Sequence, residues 1–100
     1  MTEKPAVKLS RLRDIGWAEW DPIGLLAEGD TWENKPFADE YDRYLLQVVA
    51  LLRTGRREEE CVDYLDWVGS EHMGLSSWVE RGHKASKKTV GLIADYLHTL

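Results

Sequence analysis

The chain has 100 residues, 43% of them hydrophobic and 31% charged, and a formal net charge of −5. This length corresponds to one ordinary domain, and this balance excludes an intrinsically disordered chain. The longest uninterrupted apolar run, Val48–Leu52, is far shorter than the roughly 20 residues that a membrane-spanning helix needs. Residues 1–13 are polar and basic and lack the apolar centre of a signal peptide, so we expect a cytoplasmic location.

Charge is distributed unevenly along the chain. Residues 1–13 and 81–100 each carry a net charge of +3, whereas residues 14–80 carry −11. The densest acidic stretch, residues 19–42, has eight acids against the single base Lys35. A negative field of this kind repels phosphate and attracts cations. We therefore expect no nucleic-acid binding and no membrane association, and we expect any protein partner to be basic.

Apolar residues recur at three- and four-residue steps along most of the chain, and no strand-like alternation persists. Four helices are predicted: from an N-cap at Ser10 to Trp20, from Ala38 to Thr54, from Arg57 to His72, and from Ser86 onwards. Gly55 is the predicted stop of the second helix. A short helical turn is predicted before the last helix, beginning at the capping box Ser77–Glu80 and ending at Gly82. The expected fold is all-α: a single domain over residues 1–100, with 1–8 flexible. It is one compact bundle of about four helices, with a long ordered loop between the first and second.

The connection at residues 21–37 is broken by prolines and glycines but is too apolar for free solvent. We expect its aromatic and aliphatic side chains to dock onto the helices. Tyr41 is expected to pack its ring and to give its hydroxyl a partner, with Asp21 or a backbone group as the candidates. Two roles stay open for this region, namely a loop clamped to the helices and a surface that binds a partner directly.

No residue pattern in the chain indicates a reaction. The glycines do not form a phosphate-binding loop, and His72, His83 and His98 are too far apart to provide a metal-binding pair on one helix. Cys61 lies beside Glu58–Glu60, whose charges raise the pKa of a thiol, so a packing role is expected for it. The sequence therefore predicts no catalytic residue, no metal ligand and no cofactor.

Five tryptophans and four tyrosines are a high aromatic content for 100 residues. Some lie among the acids, an arrangement typical of interfaces with aromatic anchors and a charged rim. Trp67 and Trp78 lie outside the acidic stretch and are expected to pack internally. The predicted partner-binding residues are Trp20, Asp21, Glu28, Asp30, Trp32, Glu33, Asp39, Glu40 and Tyr41.

Three segments carry a resemblance to a known family: WDPIGL at Trp20–Leu25, DEYDRY at Asp39–Tyr44 and SEHMGL at Ser70–Leu75. Their order and spacing resemble the small bacterial YugE-like domains of unknown function, over about residues 10–75. The basic region after Leu75 departs from that pattern. The resemblance implies a small helical fold and brings no established reaction or catalytic residue.

Three functional hypotheses follow from the sequence. The first is a non-catalytic protein-interaction domain, in its specific form an immunity or antitoxin-like protein that neutralises a basic toxin. The second is a small metal-binding protein or enzyme that uses carboxylates of residues 19–42 together with His72. The third is a homo-oligomeric module that associates through apolar helix faces.

Overall fold

The computed structural model describes residues 6–21, 25, 29–72 and 78–100, with backbone only at 71, 72 and 78–81. Within these residues the chain forms α-helices and no strand, which confirms the predicted all-α fold. The helices are α1 (Leu9–Glu19), α2 (Asp42–Arg53), α3 (Glu58–Trp67) and α4 (Trp78–His98), and a π-helical turn (Val68–His72) continues α3. The Cα radius of gyration is 13.3 Å, close to the value of about 13 Å expected for a compact domain of this length.

The core lies around α2 and α4, each of which packs against the other three helices. Fully buried apolar side chains from the helices and the π-helical turn form it: Leu12, Leu45, Val48, Cys61, Leu65, Val68, Val90 and Ile93. Burial raises the pKa of the Cys61 thiol, and the charges of Glu60 and Glu58 raise it further. The packing role predicted for Cys61 is therefore confirmed, because a buried, protonated thiol is a poor nucleophile.

Helices α1 and α2 approach closely where Gly16 faces Leu45. A Cβ atom on residue 16 would lie 2.6 Å from Leu45 Cδ1 and 3.2 Å from Leu45 Cδ2, well inside van der Waals contact. Leu45 is itself almost completely buried, so its side chain has little room to move aside. The missing side chain at Gly16 therefore sets the spacing of the two helices and places the end of α1, where the acidic segment begins.

The end of α2 follows the sequence prediction. Gly55 has a φ of +91° and lies just after the last helical turn. Its N–H donates to the carbonyl of Leu52 at 3.2 Å, and the N–H of Arg56 donates to the carbonyl of Leu51 at 3.0 Å. This pair of bonds is the Schellman motif, which satisfies the last carbonyls of a helix and favours glycine at this position.

The predicted starts of α1 and α2 are wrong. The N-cap of α1 is Lys8, which makes no side-chain capping bond, so Ser10 lies inside the helix. Helix α2 begins at Asp42 and not at Ala38, because residues 36–41 form successive turns. The indole N–H of Trp17 donates to the carbonyl of Ala38 at 3.2 Å, and the N–H of Asp42 bonds to Asp39. The carbonyl of Ala38, which would accept the first hydrogen bond of a helix beginning there, thus accepts a tertiary hydrogen bond from Trp17 instead.

The last two helices also differ from the prediction. The predicted third helix changes at Val68 to a π-helical turn, where the hydroxyl of Ser70 donates to the carbonyl of Asp66 at 2.8 Å. Side-chain bonds of this kind compete with the helical pattern.

Helix α4 runs unbroken through Gly82, so the predicted stop there and restart near Ser86 are wrong. Gly82 and Ser86 are both buried, and their packing outweighs the cost of about 1 kcal/mol for glycine inside a helix. Ser77 of the predicted capping box lies outside the described residues.

Candidate functional site

Residues 29–41, which belong to the acidic stretch of residues 19–42, are attached to α1 through their aromatic side chains. The indole N–H of Trp32 donates to Asp14 Oδ1 at 2.9 Å. The hydroxyl of Tyr41 donates to Asp21 Oδ1 at 2.7 Å, and the same oxygen accepts the N–H of Leu25 at 3.1 Å. Of the two partners expected for the Tyr41 hydroxyl, Asp21 or a backbone group, the structure shows Asp21. These bonds hold a segment without regular structure in one place, as expected of a loop clamped to helices.

An ion pair between α1 and α2 supports the same region. Arg13 donates to both carboxylate oxygens of Asp42, from Nε at 3.0 Å and from Nη2 at 2.6 Å. The two side chains are only 22% and 17% exposed, so the pair is better shielded than an ordinary surface ion pair. Hydrogen bonding to Asp42 raises the pKa of Arg13, and the charges of Asp42 and Asp39 add to that effect. The guanidinium also lies over the ring of Trp32, 5.4 Å from its centroid.

Two of the predicted anchors are buried. Trp20 is 3% exposed and Tyr41 is 0% exposed, and their ring centroids lie 5.3 Å apart in an edge-to-face arrangement. Trp17 packs against Tyr41 at 4.5 Å and against Phe37 at 5.5 Å. Trp20 and Tyr41 therefore stabilise the core and do not form part of the surface that a partner would touch in this structure. The prediction of direct contact is corrected for these two side chains.

The acids of residues 19–42 divide into two groups. The anchoring acids are Glu19, which pairs with Lys88 of α4 at 3.1 Å, together with Asp21 and Asp42. The outward acids are Glu33, Asp39 and Glu40, which are exposed and form no ion pair within the described residues. Asp30 belongs to neither group, because it is exposed like the outward acids but forms an ion pair with Lys35 at 3.3 Å. Glu28 lies outside the described residues.

Two surface depressions contain those members of the predicted site that are exposed or partly buried. The Trp32 groove has a volume of about 200 Å³ and is lined by Asp14, Trp17, Ala18, Asp30, Thr31, Trp32 and Glu33. The Asp39 groove has a volume of about 340 Å³ and is lined by Asp39, Glu40, Arg43 and Tyr44. The structure thus brings Asp30, Trp32 and Glu33 together, and it places Asp39 and Glu40 together in a separate depression.

Sequence reasoning missed two features of the surface. Asp14 and Trp17 belong to the Trp32 groove although they lie on α1, and no local pattern links them to residue 32. Trp67 was expected inside but is 51% exposed, with its ring stacked near that of Tyr64 at a centroid distance of 6.5 Å. A helical projection could have shown this, because Leu65 and Val68 define the buried side of this stretch and Trp67 lies off it.

The structure gives no support to metal chemistry in its described part. Among the described residues, no three His, Cys, Asp or Glu side chains are grouped so that they could bind one ion. The side chain of His72, which the metal hypothesis used, lies outside the described part of the chain. None of the described helices combines the length and the apolar character required to cross a bilayer.

Comparisons of the chain with family models, with curated proteins and with solved structures give no match. The resemblance to YugE-like domains stays a prediction.

Proposed function

We propose that this chain is a non-catalytic protein-interaction domain that binds a basic protein through its acidic, aromatic-containing surface. The binding surface consists of the Trp32 groove and the outward acids. A specific form of this function is an immunity or antitoxin-like protein that neutralises a basic toxin. The observation that carries the proposal is that Glu33, Asp39 and Glu40 point into solvent without ion pairs in the described chain, on a segment that other acids fix in place.

The charge of the surface suits fast recognition of a cationic partner. Residues 19–42 carry seven net negative charges within a chain whose total is −5. Complementary fields of this kind increase association rates and exclude partners of like charge. Exposed carboxylates without internal partners are also desolvated at less cost to the fold than paired ones.

The clamped loop supports tight binding because little order has to be gained in the complex. Trp32 is held by Asp14 and by the guanidinium of Arg13, and the segment is further tied at Ala38 and Tyr41. Ordering a loop or a long side chain on association reduces affinity, so a surface that is already ordered keeps more of its contact energy.

The experiment is affinity capture from native lysate, followed by titration of the captured basic protein at about 0.1 M and about 1 M salt. The screening length falls from about 10 Å to about 3 Å between these conditions. We expect one stoichiometric partner whose Kd rises steeply with salt, and whose binding weakens in the variant Glu33→Gln/Asp39→Asn/Glu40→Gln. Binding that is unchanged by both salt and this variant would contradict the proposal.

A matched control removes the same number of acids elsewhere. Glu58, Glu59 and Asp63 are exposed on α3, and none of them lines the Trp32 groove or the Asp39 groove. The variant Glu58→Gln/Glu59→Gln/Asp63→Asn changes the net charge equally. It should retain most of the affinity if the surface is specific, and should lose as much as the first variant if only net charge matters.

Self-association is a second candidate function, favoured by the apolar side chains that the helices expose. Trp67 is 51% exposed and Leu46 is 39% exposed. Sedimentation equilibrium over a wide concentration range decides this candidate. A dimer that the substitution Trp67→Ser dissociates would support it, and a monomer at high concentration would exclude it.

A further inference from the structure

We propose that the Trp32 groove is a subsite for a single arginine side chain of the partner. The inference depends on the proposed function in one respect, namely that the partner is a basic protein. It adds the chemical group that the surface recognises and the residues that recognise it. Three features of the structure support it: the lining of the groove, a guanidinium that already contacts the same ring, and the charges around the groove.

The groove is lined by both apolar and acidic side chains. Trp17, Ala18 and Trp32 provide its apolar surface, and Asp14, Asp30 and Glu33 provide three carboxylates. Its volume of about 200 Å³ is smaller than the roughly 300–1,000 Å³ typical of small-molecule sites. A groove of this size suits one long side chain, with its stem against the apolar side chains and its charged end near the carboxylates.

The ring of Trp32 already binds a guanidinium within the chain. Arg13 lies 5.4 Å from the ring centroid, inside the limit of about 6 Å for a cation–π contact. Arg13 does not line the groove, and its charge is paired with Asp42. The ring of Trp32 therefore contacts one guanidinium within the chain and also lines an open groove. Arginine fits better than lysine because its planar group stacks on aromatic rings and bonds carboxylates with two N–H groups.

Of the three carboxylates at the groove, one has no ion pair within the described residues, and the other two form ion pairs that are partly exposed to solvent. Glu33 has no ion pair within the described residues. Asp14 is 3.9 Å from Arg11, with both side chains more than half exposed, so this contact contributes little. Asp30 is 3.3 Å from Lys35, which is the cation that a ligand would displace. Removal of Lys35 should therefore strengthen binding, an effect that a purely structural role for the groove would not produce.

The test follows the indole N–H resonances during titration with a blocked Gly-Arg-Gly peptide and with the equivalent lysine peptide at equal ionic strength. Of the five tryptophans, Trp32 is identified by the resonance that is absent in Trp32→Phe. We expect a saturable shift of that resonance with the arginine peptide and weaker binding of the lysine peptide, because an ammonium does not stack on the ring and does not bond a carboxylate through a planar pair of N–H groups. Equal small shifts of all indoles, or equal binding of both peptides, would overturn the inference.

Variants make the result specific to the groove. Glu33→Gln should weaken binding of the arginine peptide and Lys35→Met should strengthen it, whereas the exposed α4 variant Asp95→Asn serves as a control and should do neither. Unchanged affinity in both groove variants would refute the subsite. If a basic partner binds and the Trp32 resonance does not move, the subsite fails, while binding of a basic partner through the outward acids still stands. If the peptide shifts Trp32 but no basic protein is captured, the groove binds arginine and the proposed function fails.

Discussion

The hydrogen bond between Tyr41 and Asp21 should contribute measurably to stability, and the substitution Tyr41→Phe tests this. The ring would keep its contacts with Trp17 and Trp20, while the 2.7 Å bond to Asp21 Oδ1 would be lost. A hydrogen bond to a charged group contributes about 1.5–3 kcal/mol. Asp21 is partly exposed, so water can replace the hydroxyl as donor and we expect a loss near the lower limit, about 1–1.5 kcal/mol.

Urea unfolding followed by circular dichroism measures this loss, and the melting temperature should fall by roughly 4–8 °C for each kcal/mol. Tyr96→Phe is the matched control. Its hydroxyl accepts the N–H of Lys8 at 2.9 Å at an exposed position, where water replaces the bond, so we expect a loss below about 0.5 kcal/mol. If Tyr41→Phe is no more destabilising than Tyr96→Phe, then the bond to Asp21 does not clamp the loop and the reasoning is refuted.

Three further predictions concern the rest of the fold. Gly55→Ala should destabilise the fold by about 1–2 kcal/mol, because φ is +91° there. Gly91→Ala should stabilise it by up to about 1 kcal/mol, because Gly91 lies inside α4 and an added Cβ would have no packing neighbour within 4 Å. Changes of the same sign in urea unfolding would contradict this pair of predictions. Arg13→Met should cost about 1–3 kcal/mol by leaving the carboxylate of Asp42 without its partner, and much less when combined with Asp42→Asn in a double-mutant cycle. Because folding raises the pKa of Cys61, its contribution to stability is complete below the unfolded pKa of about 8.5 and declines as the pH rises from there through the folded pKa; Cys61→Ala should abolish this decline, measured by unfolding at each pH.

Local signals in the sequence predict that the helices exist and place several of their ends, including the end of α2. The spacing of Leu45 and Val48 predicts the buried face of α2, and Gly55 predicts its end, because both effects act within a few residues. The start of the same helix depends on Trp17, whose indole takes the carbonyl of Ala38 from 21 residues away. A short stretch of sequence around residue 38 does not include Trp17, so local patterns do not predict this bond.

Tertiary packing also explains the errors in α4 and on the surface of α3. Gly82 is a helix-ending residue by local preference, but it is buried in the interior of a continuous helix. Trp67 is predicted to lie inside because it is outside the acidic stretch, but its position relative to Leu65 turns it towards solvent. The periodicity of neighbouring residues was a better guide than the residue type, since exposed aromatic side chains are ordinary on protein surfaces.

Composition could locate the acidic segment but could not divide its members. Glu19 pairs with Lys88 and Asp42 pairs with Arg13, and these partners lie 69 and 29 residues away along the chain. Nothing in the local sequence distinguishes these acids from Glu33, which forms no ion pair in the described chain. The difference between acids that fix the segment and acids that face solvent is a property of the folded arrangement.

The measurement that tests the account most directly compares the stability of two neutralised variants. Glu33→Gln/Asp39→Asn/Glu40→Gln removes the outward acids, and Asp21→Asn/Asp42→Asn removes two anchoring acids. The account predicts that the first variant unfolds in urea within about 0.5 kcal/mol of the unmodified chain, as is usual for surface substitutions, and that the second loses about 2 kcal/mol or more. Equal losses would contradict the division of the acids on which the proposed function depends.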